Sequence, residues 1–206
     1  MIIGILGAGS VGRALAGLIR NAGHEPLISE RTPSEDTASF QDAAEAGEVV
    51  IIAVPYTATQ TLLPPLAGAL AAKTVVDATN PLNDDWSPKV LGAQTSAAEE
   101  IAKLLPGAHV VKAFNTVFAD VMASEKLTRL GVRVTGFVAS DHDGARRQVA
   151  DLADGMGLAP VETGPLATAR YLEAMAHLNI AIAVGQSGGT DAAFLYHQAV
   201  GQEVRQ

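Results

Sequence analysis

A chain of 206 residues without a single cysteine has no disulfide framework, thiolate metal centre or cysteine nucleophile, so any redox role falls to a bound cofactor. A formal net charge of −8 and a pI near 5.0, with no local Lys/Arg cluster to offset them, argue against nucleic acid as a partner. With 48% hydrophobic residues and no apolar run near the roughly 20 that cross a bilayer, the chain reads as one soluble, cytoplasmic domain with at most a small appendage and no membrane partner.

Met1 to Leu6 is a short apolar run that glycines interrupt too early for a signal segment, and it reads as a strand. Ser10 to Ala22 follows with Val11, Leu15, Leu18 and Ile19 near one helical face, and Gly23 closes that helix. PLIS supplies a second strand, and the polar stretch 30–48 has room for a turn and a short helix. EVVIIAVP is unbroken apolar sequence, as in a strand covered on both faces of a parallel sheet. A helix from about Ala58 to Ala72, a strand in KTVVDATNP, a helix from Ser96 to Leu105 and a strand in HVVKAFN continue the alternation. Val132 to Ala139 reads as a sixth strand, 141–156 as a helix and LAPVET as a short strand. The last unit, from Pro165 to about Val184, carries few charges and reads as a largely buried helix, packed over the sheet or against a second subunit in a homodimer. This order of elements is that of an α/β protein.

The sharpest local signal is Gly7-Ala8-Gly9-Ser10-Val11-Gly12, a GxGxxG between a strand and a helix. Gly7 makes a tight turn, Gly9 lets the backbone approach a pyrophosphate, Gly12 lets the helix pack on the strand, and the helix N-terminus faces the negative charge. Glu30 stands 18 residues past Gly12, where a carboxylate binds a ribose 2′-hydroxyl, and Arg31 beside it is what a 2′-phosphate needs. The two argue for NAD and NADP respectively, and both also fit an ordinary exposed turn. Asn80 and Pro81 in DATNPL, and Ala113, Phe114, Asn115 and Thr116 in VKAFNTV, fall at strand ends on the carboxyl edge. Their amides either orient a carboxamide or serve as turn residues. Lys112 is read as alternating away from the cleft. Asp84 and Asp85 beside Trp86 are read as a loop. The five histidines show no i, i+4 pairing, so no metal site is assigned, and His177 reads as a satisfied core histidine. No nucleophile and base stand together, and no catalytic residue is assigned.

Taken together, these residues resemble the family of F420-dependent NADP oxidoreductases, which includes the soluble oxidoreductase domain of the STEAP metalloreductases. The likeness runs through Gly7 to Gly12, ERTP, Ala53-Val54-Pro55, DATNPL, VVKAFNT, TGPLATARYLEAM and the late GTDAAF. It implies a Rossmann-type, mostly parallel, doubly wound sheet over 1–164 with a small C-terminal helical cap over 165–206. It also implies hydride exchange between NADP(H) and coenzyme F420 or a flavin, for which the demand is geometric and needs no acid-base residue. In this reading the glycine loop anchors the dinucleotide, and Arg31 with Thr32 reads the 2′-phosphate. Ala53, Val54, Pro55, Tyr56 and Asn80 border the ribose and nicotinamide, and Ala113 to Thr116 lie under the reacting ring. The helix from Leu166 to Met175 covers the second substrate. Where the family carries a small hydroxyl residue before the arginine, this sequence has Glu30, a like charge for a 2′-phosphate, which keeps NAD open.

Two other functions share the superfold. Dehydrogenases of the hydroxyacid and imine-reductase type carry a helical second domain of roughly a hundred residues, for which this sequence has no room. A non-catalytic NAD(P)-binding sensor or regulator would need only the dinucleotide site.

Overall fold

The structure, a computed structural model, describes residues 1–92 and 94–198. Of the expected C-terminal cap, 199–206 therefore lie outside the described residues. The strands are β1 (Ile2–Leu6), β2 (Glu25–Ser29), β3 (Val49–Ile52), β4 (Thr74–Asp77), β5 (His109–Ala113), β6 (Thr128–Arg129), β7 (Val132–Arg133), β8 (Thr135–Ala139) and β9 (Ala159–Glu162). The helices are α1 (Ser10–Asn21), α2 (Phe40–Ala46), α3 (Tyr56–Leu70), α4 (Ala97–Leu104), α5 (Asp143–Gly155) and α6 (Ala169–Ile180). Seven strands form one sheet in the order β2-β1-β3-β4-β5-β8-β9, parallel throughout except where β8 meets β5 antiparallel.

The sheet is covered on both faces, which is why its central strands are mostly apolar on both sides. Ile3, Ile5, Val49, Ile51, Val76 and Val111 pack against Leu15 and Ile19 of α1 and Val149 and Leu152 of α5. The alternate residues Leu6, Val50, Ile52, Val75 and Val110 meet Leu63, Leu66 and Leu70 of α3 and Ile101 of α4 on the other face. Each such fully buried side chain contributes about 1.5–3 kcal/mol, and the two layers clamp the strands so that their carboxyl ends share one edge.

Two expectations change. The stretch 132–139 is two strands: Val132–Arg133 pairs with β6 in a separate hairpin, and Thr135–Ala139 joins the main sheet. Val134 between them is fully buried while Val132 and Arg133 are exposed, so the chain turns inward there and exchanges pairing partners. The C-terminal helix is also not buried all round. It begins with a single 3-10 turn (Leu166–Thr168) and ends in a π turn (Ala181–Gly185). It buries Leu172, Ala176 and Ile180 but leaves Tyr171, Leu178 and Ile182 half or more exposed. These three lie at i, i+7 and i+11, a single unpartnered apolar stripe.

Polar bonds fix α6 to the rest. Glu173 is buried on α6, and its carboxylate accepts the Ala97 and Ala98 backbone N–H groups at 2.9 and 3.2 Å, capping α4 from another element. Arg170 grips Glu99 with two bonds of 2.9 and 2.6 Å.

Candidate functional site

The carboxyl ends of β1, β3, β4 and β5 open onto a cleft of about 660 Å³, with the second half of α6 forming its far wall. This is the edge at which open α/β sheets take ligands.

At the β1 end the glycine loop has the geometry that its sequence demands. Gly7 adopts φ 133°, and a side chain there would collide with the Ala53 carbonyl oxygen at 2.4 Å. Gly12 allows α1 to lie directly on the loop, whereas a Cβ on Gly9 would meet nothing within 4 Å. Gly9, Ser10 and Val11 line the cleft, and Ala8 turns its carbonyl to the Arg13 side chain at 2.9 Å. No side chain caps the first turn of α1, so its backbone donors and the positive end of its dipole are open to an anion.

Next along the edge, Ala53, Val54, Pro55 and Tyr56 line the cleft after β3. Burial pushes the Tyr56 hydroxyl up from its ordinary range, and the charges of Glu100, Glu173 and Asp77 push it the same way, so it stays protonated. After β4 and β5, Asn80 and Asn115 form a locked pair. Asn115 Nδ2 donates to Asn80 Oδ1 at 2.9 Å and to the Leu172 carbonyl of α6 at 3.1 Å, and Asn80 Nδ2 donates to the Asn115 carbonyl at 2.8 Å. Phe114 stands at φ 65°, an unusual conformation for an aromatic residue that turns the chain sharply at the end of β5.

Three buried oxygens at this corner have no partner: Thr79 Oγ1, Asn115 Oδ1 and Thr116 Oγ1. All three residues line the cleft. A buried polar atom left unpaired costs about 1–3 kcal/mol, and three on residues that line one cavity accord with a polar ligand at this corner. A carboxamide and ribose hydroxyls carry the donors and acceptors these atoms lack, so the residues present fit a dinucleotide.

Below the corner Lys112 is fully buried, and its ammonium meets Asp77 at 2.8 Å, Glu173 at 2.9 Å and the Thr79 carbonyl at 2.7 Å. The sequence reading set Lys112 aside. It does lie out of the cleft, yet it holds the Thr79 turn from beneath. Burial pulls its pKa down, but the coulombic and hydrogen-bonding pull of Asp77 and Glu173 outweighs this and leaves it raised. Asp77 also accepts the Thr79 N–H at 2.8 Å.

The remaining expected residues fall outside this cleft. Arg31 borders a second, smaller recess of about 500 Å³ beyond β3, and Val54 and Pro55 form the wall that it shares with the main cleft. Glu30 turns into its own loop, where its Oε1 accepts Thr37 Oγ1 at 2.6 Å and Ser34 Oγ at 3.1 Å. These bonds, with the charge of Arg13 adding a lesser pull, hold its pKa below the usual carboxylate value. Thr32 is exposed and lines neither cavity, and Gly7 and Gly12 shape the loop without facing the space. Ala113 is core, and Pro81 contributes a carbonyl 3.0 Å from His177 Nε2, the histidine read as satisfied. Sequence reasoning missed Thr79, Trp86, Asp120 and Asn179, which all line the cleft. A signal existed for Asn179, a polar residue near the end of a charge-poor helix, and for Trp86, the single tryptophan. Among the described residues no group of His, Asp and Glu could hold a metal, and no helix is long and apolar enough to cross a membrane.

Known proteins share this fold. A crystal structure from Arthrobacter sp. FB24, named as a candidate F420-dependent NADP reductase, superposes with a TM-score of 0.84 at 28% identity, over 96% of this chain and 99% of that one. Rat metalloreductase STEAP3 is 32% identical over 84% of this chain, which spans only 36% of that protein's length. Residues 2–81 match the family model described as NADP oxidoreductase, coenzyme F420-dependent. The F420-dependent NADP reductase of Methanocaldococcus jannaschii is 30% identical over 76% of this chain and 72% of its own length. By these matches the chain belongs to the family of coenzyme F420-dependent NADP oxidoreductases.

Proposed function

We propose that this protein transfers a hydride between NADP(H) and a deazaflavin or flavin ring, both held in the one cleft. The observation that carries the reading is the convergence of Thr79, Asn115 and Thr116, with three unpartnered oxygens, on a cavity that begins at the uncapped N-terminus of α1. Bound NADPH supplies the hydride from its nicotinamide C4, and solvent supplies the accompanying proton to the acceptor ring. The chain's own residues bind and orient. The α1 terminus and Gly9 receive the pyrophosphate, Arg31 and Thr32 the 2′-phosphate, and Asn115 Oδ1 accepts from the carboxamide. Tyr56, Phe114, Ala176 and Ile180 keep water from the reacting faces, which must approach to about 3–3.5 Å. In this assignment residues 1–164 form the dinucleotide unit and 165–206 the cap over the second substrate. The exposed stripe of Tyr171, Leu178 and Ile182 supports a homodimer formed through α6, and the cysteine-free composition accords with the cytoplasm.

A spectrophotometric screen of NADPH and NADH against F420, FMN and riboflavin tests this reading. NADPH oxidation matched one to one by acceptor reduction is the expected result. Tight NADPH binding without oxidation by any acceptor would make the protein a redox sensor instead.

A further inference from the structure

The end of the cleft farthest from Arg31 is built by the segments after β4 and β5, the second half of α6 and Thr190, and its chemistry differs from that of the phosphate end. Trp86, the chain's one tryptophan, lines it while remaining 56% exposed, at φ 67°. Its loop is set by its own bonds. The Asn83 N–H donates to the Ser87 carbonyl at 2.9 Å, the Trp86 N–H to the Asn83 carbonyl at 3.0 Å, and the Lys89 N–H to the Pro81 carbonyl at 2.9 Å. Asp85 Oδ1 accepts both the Ser87 N–H at 3.0 Å and its hydroxyl at 2.6 Å. A loop so fixed presents an indole with much of its surface uncovered at the mouth of a largely apolar cavity, and a flat aromatic ring is the occupant that such a surface suits.

The charges at this end are equally specific. Among the described residues lining the cleft, the ionisable groups besides Tyr56 are Asp84 and Asp120, and no Lys, Arg or His is present. Both carboxylates are exposed and follow β4 and β5, the strands that form this end. Asp120 accepts a hydrogen bond from the Thr190 hydroxyl. Lys89, in the same loop, lies outside the lining, and Lys126 and Arg129 are drawn to Asp191. A phosphate at the α1 end meets a helix dipole, whereas one leaving past Trp86 meets two carboxylates on a protein of net charge −8.

Resting on the hydride-transfer reading above, we infer that the second-substrate end selects an acceptor whose ring stacks on Trp86 and whose side chain carries no phosphate. It takes riboflavin in preference to FMN, and an unphosphorylated deazaflavin in preference to the phosphate-bearing coenzyme.

The test compares riboflavin with FMN, by equilibrium binding in the presence of NADP+ and by turnover with NADPH, at low and high salt. Kd and KM for riboflavin are expected about tenfold below those for FMN at low ionic strength, and the gap closes as salt screens the carboxylates. Asp84→Asn combined with Asp120→Asn moves the ratio toward one. Trp86→Ala raises KM for both rings and Trp86→Phe restores most of it. Flavin emission, quenched on contact with the wild-type indole, stays bright in Trp86→Phe. FMN bound as well as riboflavin at low salt, a ratio indifferent to the double substitution, or a KM unmoved in Trp86→Ala overturns the inference while leaving hydride transfer intact. The predicted binding ratio without NADPH oxidation overturns hydride transfer and leaves the selectivity standing. Binding of neither ring overturns both.

Discussion

A methyl group placed on Gly12 would lie 2.0 Å from the Gly7 carbonyl oxygen, so these two glycines hold α1 against the turn that feeds it. Gly9, between them, has open space in front of it. Gly12→Ala is therefore expected to cost about 1–3 kcal/mol of stability, the usual penalty of overpacking. Gly9→Ala should leave the unfolding midpoint in place and weaken NADPH binding about tenfold, or roughly 1.4 kcal/mol. Denaturant titration and fluorescence binding on the two variants check the division of roles.

Lys112 compensates two buried carboxylates at once, and its removal strands both. Lys112→Met is expected to destabilise by about 3–5 kcal/mol, read by urea unfolding. The sign of the pH dependence follows from the raised pKa. Its contribution is complete below the ordinary lysine value of 10.5 and is lost only as pH rises through the higher folded value. No weakening from this cluster is expected between pH 7 and 10, and a drop in stability there that Lys112→Met abolishes would contradict it.

Thr79 and Thr116 hold unpartnered hydroxyls in the apo protein. Replacing each with Val removes a group whose burial costs about 1–3 kcal/mol, so the unliganded protein should melt at the same temperature or higher. The rise in Tm that NADPH produces should shrink in the same variants, because less affinity means less linkage. Thermal scans with and without NADPH separate a binding role from a merely structural one.

Arg31→Ala is expected to raise the NADPH Kd about 10- to 100-fold, the worth of a charge-assisted bond of about 1.5–3 kcal/mol, and to leave NADH binding nearly unchanged. Glu30→Gln keeps an acceptor for Thr37 and Ser34 but removes the like charge, so it should favour NADPH further. The depressed pKa of Glu30 keeps the wild-type carboxylate ionised through mildly acidic pH. Its loop contribution is therefore present above the ordinary value of 4.5 and falls away only below it, so a change in the NADPH to NADH preference between about pH 8 and 5 should persist in Glu30→Gln, because it follows the 2′-phosphate, whose second pKa is about 6.

Leu178 on α6 and Ile182 in the π turn that follows it are 57% and 50% exposed. Sedimentation at micromolar concentration is expected to give a dimer, and Leu178→Glu with Ile182→Glu a monomer that still binds NADPH. A monomeric wild-type protein would remove the dimer.

Most of the sheet was legible because buried parallel strands are apolar on both faces, and VVII satisfies that on sight. The glycine loop and the strand-end asparagines were legible for a related reason, since motif and strand end fix each other's position. The partner exchange at Val134 was not, because an apolar run carries no mark of which strand it will join. Lys112 was read as lying out of the cleft, as it does, but its burial was not legible. A lysine in a strand suggests an outward face, and only the three-dimensional meeting of Asp77 on β4 with Glu173 on α6 gives it a place inside. The apolar last helix was read as buried because its composition cannot distinguish a core face from an uncovered one. The direction of Glu30 depended on hydroxyls at Ser34 and Thr37, whose reach is set by the loop's path.

Glu173 bonds the first turn of α4 and Lys112 of β5, Arg170 grips Glu99, and Asn115 donates to the Leu172 carbonyl. Swinging α6 away from the sheet would break all of these at once and leave charges in a dry interior. The α6 wall of the cleft is thus a fixed jaw rather than a lid.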